Sequence, residues 1–290
     1  MNKIPVFLHI PKNAGTYVFS TMETMFRFYC IKKGWNNKPD WNLSFRKFHV
    51  VDSKQKQYTT LFVHDPNDHR YNNNKIKPHI DRPYVNLIDI NDVDVVLEDF
   101  KNKKFNLLGV IVEPRGVKLM SGSFFENVCS KANKIPLYHT VFREPYKRSL
   151  SLYNYIKSNN SAHEPTHNSI RSNTFEDYLR SPQLEESWLI RNLIPVNDGV
   201  AITEEDFKRT CNMLKCFKIV DISKTDDLLD EVFTECYGVT RDIIKNNGSI
   251  NKNATQNFID KPFDSLNNEL KQLFLERTKF DNRLYKYFIK

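Results

Sequence analysis

Two short segments of this 290-residue chain hold side chains that could do chemistry on an anion. The first is Pro11-Lys12-Asn13-Ala14-Gly15-Thr16, and the second is Arg143-Glu144-Pro145-Tyr146-Lys147-Arg148-Ser149-Leu150-Ser151. Lys12 supplies a point charge, Gly15 lets the backbone approach a ligand closely, and Thr16 offers a hydroxyl. Together with the backbone N–H groups of Asn13, Ala14, Gly15 and Thr16 they make a phosphate-sized cradle. In the second segment Arg143 brings a guanidinium, which grips phosphate oxygens two at a time and keeps its charge at neutral pH. Ser151 adds a hydroxyl two turns further on.

The elements that must position these groups can be read from the flanking pattern. Val6-Phe7-Leu8-His9-Ile10 is mostly apolar and has the length of a buried parallel strand. Beyond Gly15, Val18, Met22, Met25 and Tyr29 recur at the spacing of one helix face. The first segment therefore lies at a helix N-terminus, where unpaired N–H groups and the helix dipole favour an anion. Leu137 to Phe142 reads as a second buried strand, and Pro145 starts a helix whose buried stripe is Tyr146, Leu150, Tyr153 and Ile156. Both segments thus sit at strand-to-helix junctions, the edge at which open α/β sheets bind ligands. A Walker A loop is excluded, because Lys12 precedes the glycine instead of following it.

Pro-Lys-x-x-Gly-Thr directly after a strand resembles the 5′-phosphosulfate loop of the sulfotransferases that use 3′-phosphoadenosine 5′-phosphosulfate (PAPS). Arg143-Glu144-Pro145, a second arginine and then Ser151 before aromatic residues resemble that family's 3′-phosphate motif. Phe280-Asp281-Asn282-Arg283-Leu284-Tyr285 looks like its closing helix. The resemblance spans most of the chain and is specific at the two motifs. It implies an α/β fold, three-layer α/β/α with a central, mainly parallel sheet, the P-loop NTPase-like sulfotransferase fold. It also implies a single domain over 1–290, with a PAPS-binding core at about 1–158, a late strand and helices over 200–290, and irregular insertions near 65–83 and 158–175. By the same resemblance Lys12, Asn13, Ala14, Gly15 and Thr16 hold the 5′ end of PAPS, and Arg143 and Ser151 hold its 3′-phosphate. The 3′-phosphoadenosine 5′-phosphate (PAP) product leaves without help from a metal. The motifs look most like the carbohydrate, heparan sulfate 2-O-sulfotransferase-like branch, so the acceptor is expected to be a glycan hydroxyl, with Trp35, Trp41 and Trp188 available to stack on sugars.

Transfer to a hydroxyl calls for a general base, and the family places a histidine or glutamate between its two motifs. No histidine stands in Leu108 to Glu113, which leaves Glu113, at the end of an apolar run, as the first candidate and His64, also at a strand's end, as the second. His139, in mid-strand, is expected to be buried and held by hydrogen bonds. Glu113 has an ordinary alternative, pairing with Arg115 or a lysine.

Composition bounds the rest. Lysine and arginine number 43 against 35 aspartates and glutamates, a net charge of +8 that favours anionic ligands. The lysines are scattered and no nucleic-acid motif accompanies them, so a nucleic-acid partner is not expected. Five cysteines without regular spacing read as free thiols in a reducing compartment. His64 with His69 and His163 with His167 lie in polar segments and read as surface histidines, so no metal site is expected. No segment is long and apolar enough to span a membrane, and the first strand leaves no room for a signal peptide, so the expectation is a cytoplasmic protein. Two other readings stay open: a P-loop-like nucleotide kinase, disfavoured by the missing Gly-Lys-Ser/Thr, and a relative that binds nucleotide or glycan without turnover.

Overall fold

The computed structural model describes residues 3–10, 12–15, 17–18, 21–22, 24–25, 29, 33, 49–51, 57–63, 105–112, 129–130, 133–158, 170–171, 173–182, 184, 186–194, 196, 200–240, 242 and 259–289. The irregular insertion expected near 65–83 lies outside them. The chain divides into two compact units: one of Met1–Ile10, Ala14–Val141 and Cys216–Lys252, the other of Pro11–Asn13, Phe142–Lys215 and Asn253–Lys290.

The first unit carries a six-stranded sheet in the order β2-β3-β4-β1-β5-β6. Its strands are β1 (Lys3–Leu8), β2 (His49–Val51), β3 (Gln57–Val63), β4 (Phe105–Val112), β5 (Ile135–Phe142) and β6 (Lys218–Asp221). β3, β4, β1 and β5 run parallel, and β2 joins β3 antiparallel. The protein is therefore an α/β protein with a four-strand parallel core. β1 is buried on both faces: Ile4, Val6 and Leu8 on one side and Phe7 on the other are at most 1 % exposed. That is why its sequence reads as a continuous apolar run instead of an alternating one.

On one face, Phe7 stands in register with Ile111 and His139, and Val141 follows two residues on. Two helices close this face in one apolar cluster. The first, within 15–29, contributes Val18, Met22, Met25 and Tyr29, the four residues its spacing predicts. The second, Thr225–Tyr237, contributes Leu228, Leu229, Val232, Phe233, Cys236 and Tyr237, and stops at Gly238 in the left-handed region, φ 61°.

The second unit is helical: Pro145–Ser158, Phe175–Arg180, Trp188–Leu193, Glu204–Leu214, Asn268–Arg277 and Lys279–Phe288. Tyr146, Leu150, Tyr153 and Ile156, the predicted stripe, pack with Phe175, Tyr178, Leu270 and Phe274. Capping is explicit. Thr174 with Asp177 and Thr203 with Asp206 form reciprocal capping boxes. The buried carboxylate of Asp281 accepts N–H bonds from Leu189 and Ile190, so the last helix caps the Trp188–Leu193 helix through a side chain.

Candidate functional site: two strand-to-helix junctions

Three parallel strands end together. Leu8 of β1 is in register with Val112 of β4, and Val112 with Val63 of β3. His9 N then donates to Val112 O at 2.7 Å. The next residues in the chain after Leu8, Val112 and Val63 are His9, Glu113 and His64. Glu113 and His64, the two candidate bases, lie outside the described residues, as do Thr16, Trp35 and Trp41. β1 is also where the strand order turns, with β4 on one side and β5 on the other. Ligands of open α/β sheets bind beyond the carboxyl end of such a strand.

The loop after β1 is bent in an unusual way. Lys12 and Ala14 both adopt left-handed backbone conformations, φ 67° and 61°. For residues with a Cβ this costs about 1–3 kcal/mol each, and such strain gathers at ligand-binding turns. Gly15 opens the following helix, and its reason for being glycine is local: a Cβ built there would fall inside the imidazole of His9. The sequence suggests a glycine that admits a ligand, whereas the structure shows a glycine that admits a histidine. No regularity of spacing announces that pair.

The junction after β5 is built differently. Glu144 places its carboxylate on the N–H groups of Tyr146 and Lys147, both at 2.9 Å, and so caps the Pro145–Ser158 helix itself. Pro145 is legible in the sequence as a helix start, and the structure adds Glu144 as the cap of that helix. Downstream, Ser149 is buried and returns its hydroxyl to Pro145 O, while Ser151 is half-buried. Arg148, the second arginine of the motif, is buried with its guanidinium 4.1 Å from the ring centroid of Trp188. Trp188, half-buried, thus has a ring face engaged by Arg148 within the helical unit.

Lys12, Asn13, Arg143, Ser151 and Tyr155 all belong to the helical unit. Arg143 Nη1 donates to the carbonyl oxygen of Lys12 at 3.4 Å, and the Lys12 ammonium lies 3.5 Å from the ring centroid of Tyr155. Burial, and then the nearby Arg143 charge, pull the Lys12 pKa down to about 8. The helix that presents these groups is fastened along its length. Tyr146 donates to Lys261 O, Asn154 exchanges two bonds with the backbone of Ile259, and Tyr153 donates to Asn173 O.

His139 is fully buried, its Nδ1–H donates to Leu137 O at 3.1 Å, and burial pulls its pKa down to about 4. It is a neutral core histidine of the sheet, packed with its ring 5.4 Å from that of Phe7. Among the described residues, no group of three His, Cys, Asp or Glu is placed to hold a metal, and no helix is long and apolar enough to cross a membrane.

Compared with protein-family models, curated proteins and solved structures, the chain matches none.

Proposed function

We propose that this chain is a PAPS-dependent sulfotransferase of the P-loop-like α/β/α class, acting on an acceptor hydroxyl of a glycan. One observation carries the reading. Lys12 and Arg143 stand 131 residues apart in the chain, yet the Arg143 guanidinium donates to the Lys12 carbonyl. Two cations read from separate motifs, one for each phosphate end of a single nucleotide, therefore share a neighbourhood. A ligand with one phosphate needs only one of them. One with a 3′-phosphate and a 5′-phosphosulfate gives both a task.

In the proposed transfer the acceptor oxygen forms a bond to sulfur while the bond from sulfur to the 5′-phosphate oxygen breaks, and the acceptor proton passes to a base. Lys12 and the backbone N–H groups of the loop offset the charge gathering on the departing phosphate, the part that fixed cations play in phosphoryl transfer. Arg143 and Ser151 hold the 3′-phosphate and set the register. Glu113 takes the base role, with His64 as the second candidate, since each directly follows one of the two strands, β4 and β3, whose ends are in register with that of β1.

The test has two stages. PAP should raise the melting temperature of the wild type, and Arg143→Ala should lose most of that rise. A glycan panel incubated with PAPS should then give a sulfated product by mass spectrometry, with turnover lost and PAP affinity kept in Glu113→Gln. No PAP-dependent shift would sink the nucleotide assignment; binding without product on any acceptor would favour a non-catalytic relative.

A further inference from the structure

Lys12 has an aromatic neighbour that the motifs do not mention. Its ammonium lies 3.5 Å from the Tyr155 ring centroid, inside the range of a cation–π contact. Tyr155 sits on the Pro145–Ser158 helix one turn beyond Ser151 and is 38 % exposed. A tyrosine with so much open surface is not held there by core packing alone. The residues Arg143, Lys147, Ser151 and Tyr155 recur every four positions, so the helical part of this series lies along one side of the helix.

We propose that Tyr155 is a positioning residue for Lys12, its ring holding the lysine ammonium charged and extended over the loop. The physical need is plain. Lys12 is half-buried beside the like charge of Arg143, and both effects disfavour its ammonium form, pulling its pKa down to about 8. Of the described groups facing the ammonium, Arg143 at the end of β5 repels it and the Tyr155 ring attracts it. A ring face stabilises a cation without neutralising it, whereas a carboxylate in the same place would compete with an incoming anion. It also leaves the ammonium's remaining N–H directions open to a ligand oxygen. The inference rests on the donor-binding role proposed for Lys12, but its first readout does not.

The decisive experiment is a ¹⁵N-lysine NMR titration of the full chain, with the Lys12 signal assigned by its loss in Lys12→Gln. Tyr155→Phe keeps the ring and should leave the Lys12 midpoint in place. Tyr155→Leu should move it down by about one unit, the size of a partly desolvated cation–π contact. An unchanged or raised midpoint in Tyr155→Leu overturns the proposal, provided its urea midpoint shows the variant folded; if that variant does not fold, Tyr155→Met replaces it under the same criterion. PAP affinity at pH 7.5 should then fall several-fold in Tyr155→Leu and stay unchanged in Tyr155→Phe. If PAP binds neither the wild type nor the variants, the donor reading fails, while the NMR midpoint still decides the pairing of Lys12 with Tyr155.

Discussion

The two junctions that follow β1 and β5 solve one local problem in opposite ways. Each must end a buried parallel strand and begin a helix, leaving N–H groups that need acceptors. After β5 the chain supplies its own acceptor: the Glu144 carboxylate takes the N–H groups of Tyr146 and Lys147. After β1 no acid stands anywhere in Pro11 to Thr16, and the backbone is bent into the left-handed region at Lys12 and Ala14. A self-capped junction is conventional and relaxed, so it suits the presentation of Arg143 and Ser151 as side chains. A strained junction without a carboxylate is better suited to receive an anion on its backbone. On that view the β1 loop is the binding element and the β5 junction is the bracket beside it.

The comparison can be broken most forcefully at Gly15. Gly15→Ala drives a methyl into His9, which should lower stability by about 1–3 kcal/mol and abolish the PAP-dependent thermal shift. His9→Ala combined with Gly15→Ala should recover part of both. A Gly15→Ala protein that melts and binds like the wild type would remove the steric pairing from the account.

Next in size is Arg143→Ala. A charged phosphate contact is worth about 1.5–3 kcal/mol, so PAP affinity should fall about tenfold or more while affinity for AMP, which lacks the 3′-phosphate, barely moves. Calorimetry with both nucleotides measures this. Equal losses would make Arg143 a general anion contact and erase the distinction between the two junctions.

The pH dependence of PAP affinity sharpens the role of Lys12. With its pKa near 8 in the free protein, Lys12 is charged below that value and binds an anion best there. An anion bound at the ammonium raises that pKa, so affinity should fall as pH rises through about 8, by at most about tenfold per unit. Lys12→Gln should abolish this dependence. A flat profile in the wild type would take the ammonium out of the site.

The smallest effect is expected at the bracket. Glu144→Ala removes a helix cap and should cost about 1 kcal/mol in urea unfolding. PAP affinity should change less than twofold. A larger loss of binding than of stability would mean that Glu144 belongs to the ligand site and not to the helix.

Much of the scaffold was legible because burial leaves a periodic trace. Val18, Met22, Met25 and Tyr29 on one helix, and Tyr146, Leu150, Tyr153 and Ile156 on another, occupy the core faces their spacing predicts. β1, β4 and β5 coincide with apolar runs, although β4 starts at Phe105 and β5 at Ile135, earlier than their apolar centres. Strand ends are polar, and polarity does not mark where pairing begins. Lys12 and Arg143 were legible as charged groups at strand ends. Tyr155 and the engagement of Trp188 by Arg148 were not, because a contact between side chains of distant elements follows no period, and the fit of Gly15 to His9 was not, because it depends on how the loop between them bends.

The amino-acid order alone determines that this chain makes a parallel α/β core with two strand-to-helix junctions, one bearing a lysine loop and one an arginine and a serine. Hydrophobic periodicity and turn chemistry are local, and they survive in one dimension. The tertiary structure alone decides that Gly15 faces His9, that Arg143 reaches the carbonyl of Lys12, and that the Lys12 ammonium rests on Tyr155. The two pairings of Lys12 bring together residues that the chain keeps far apart, and the Gly15–His9 pair, though close in sequence, depends on the course of the loop after β1.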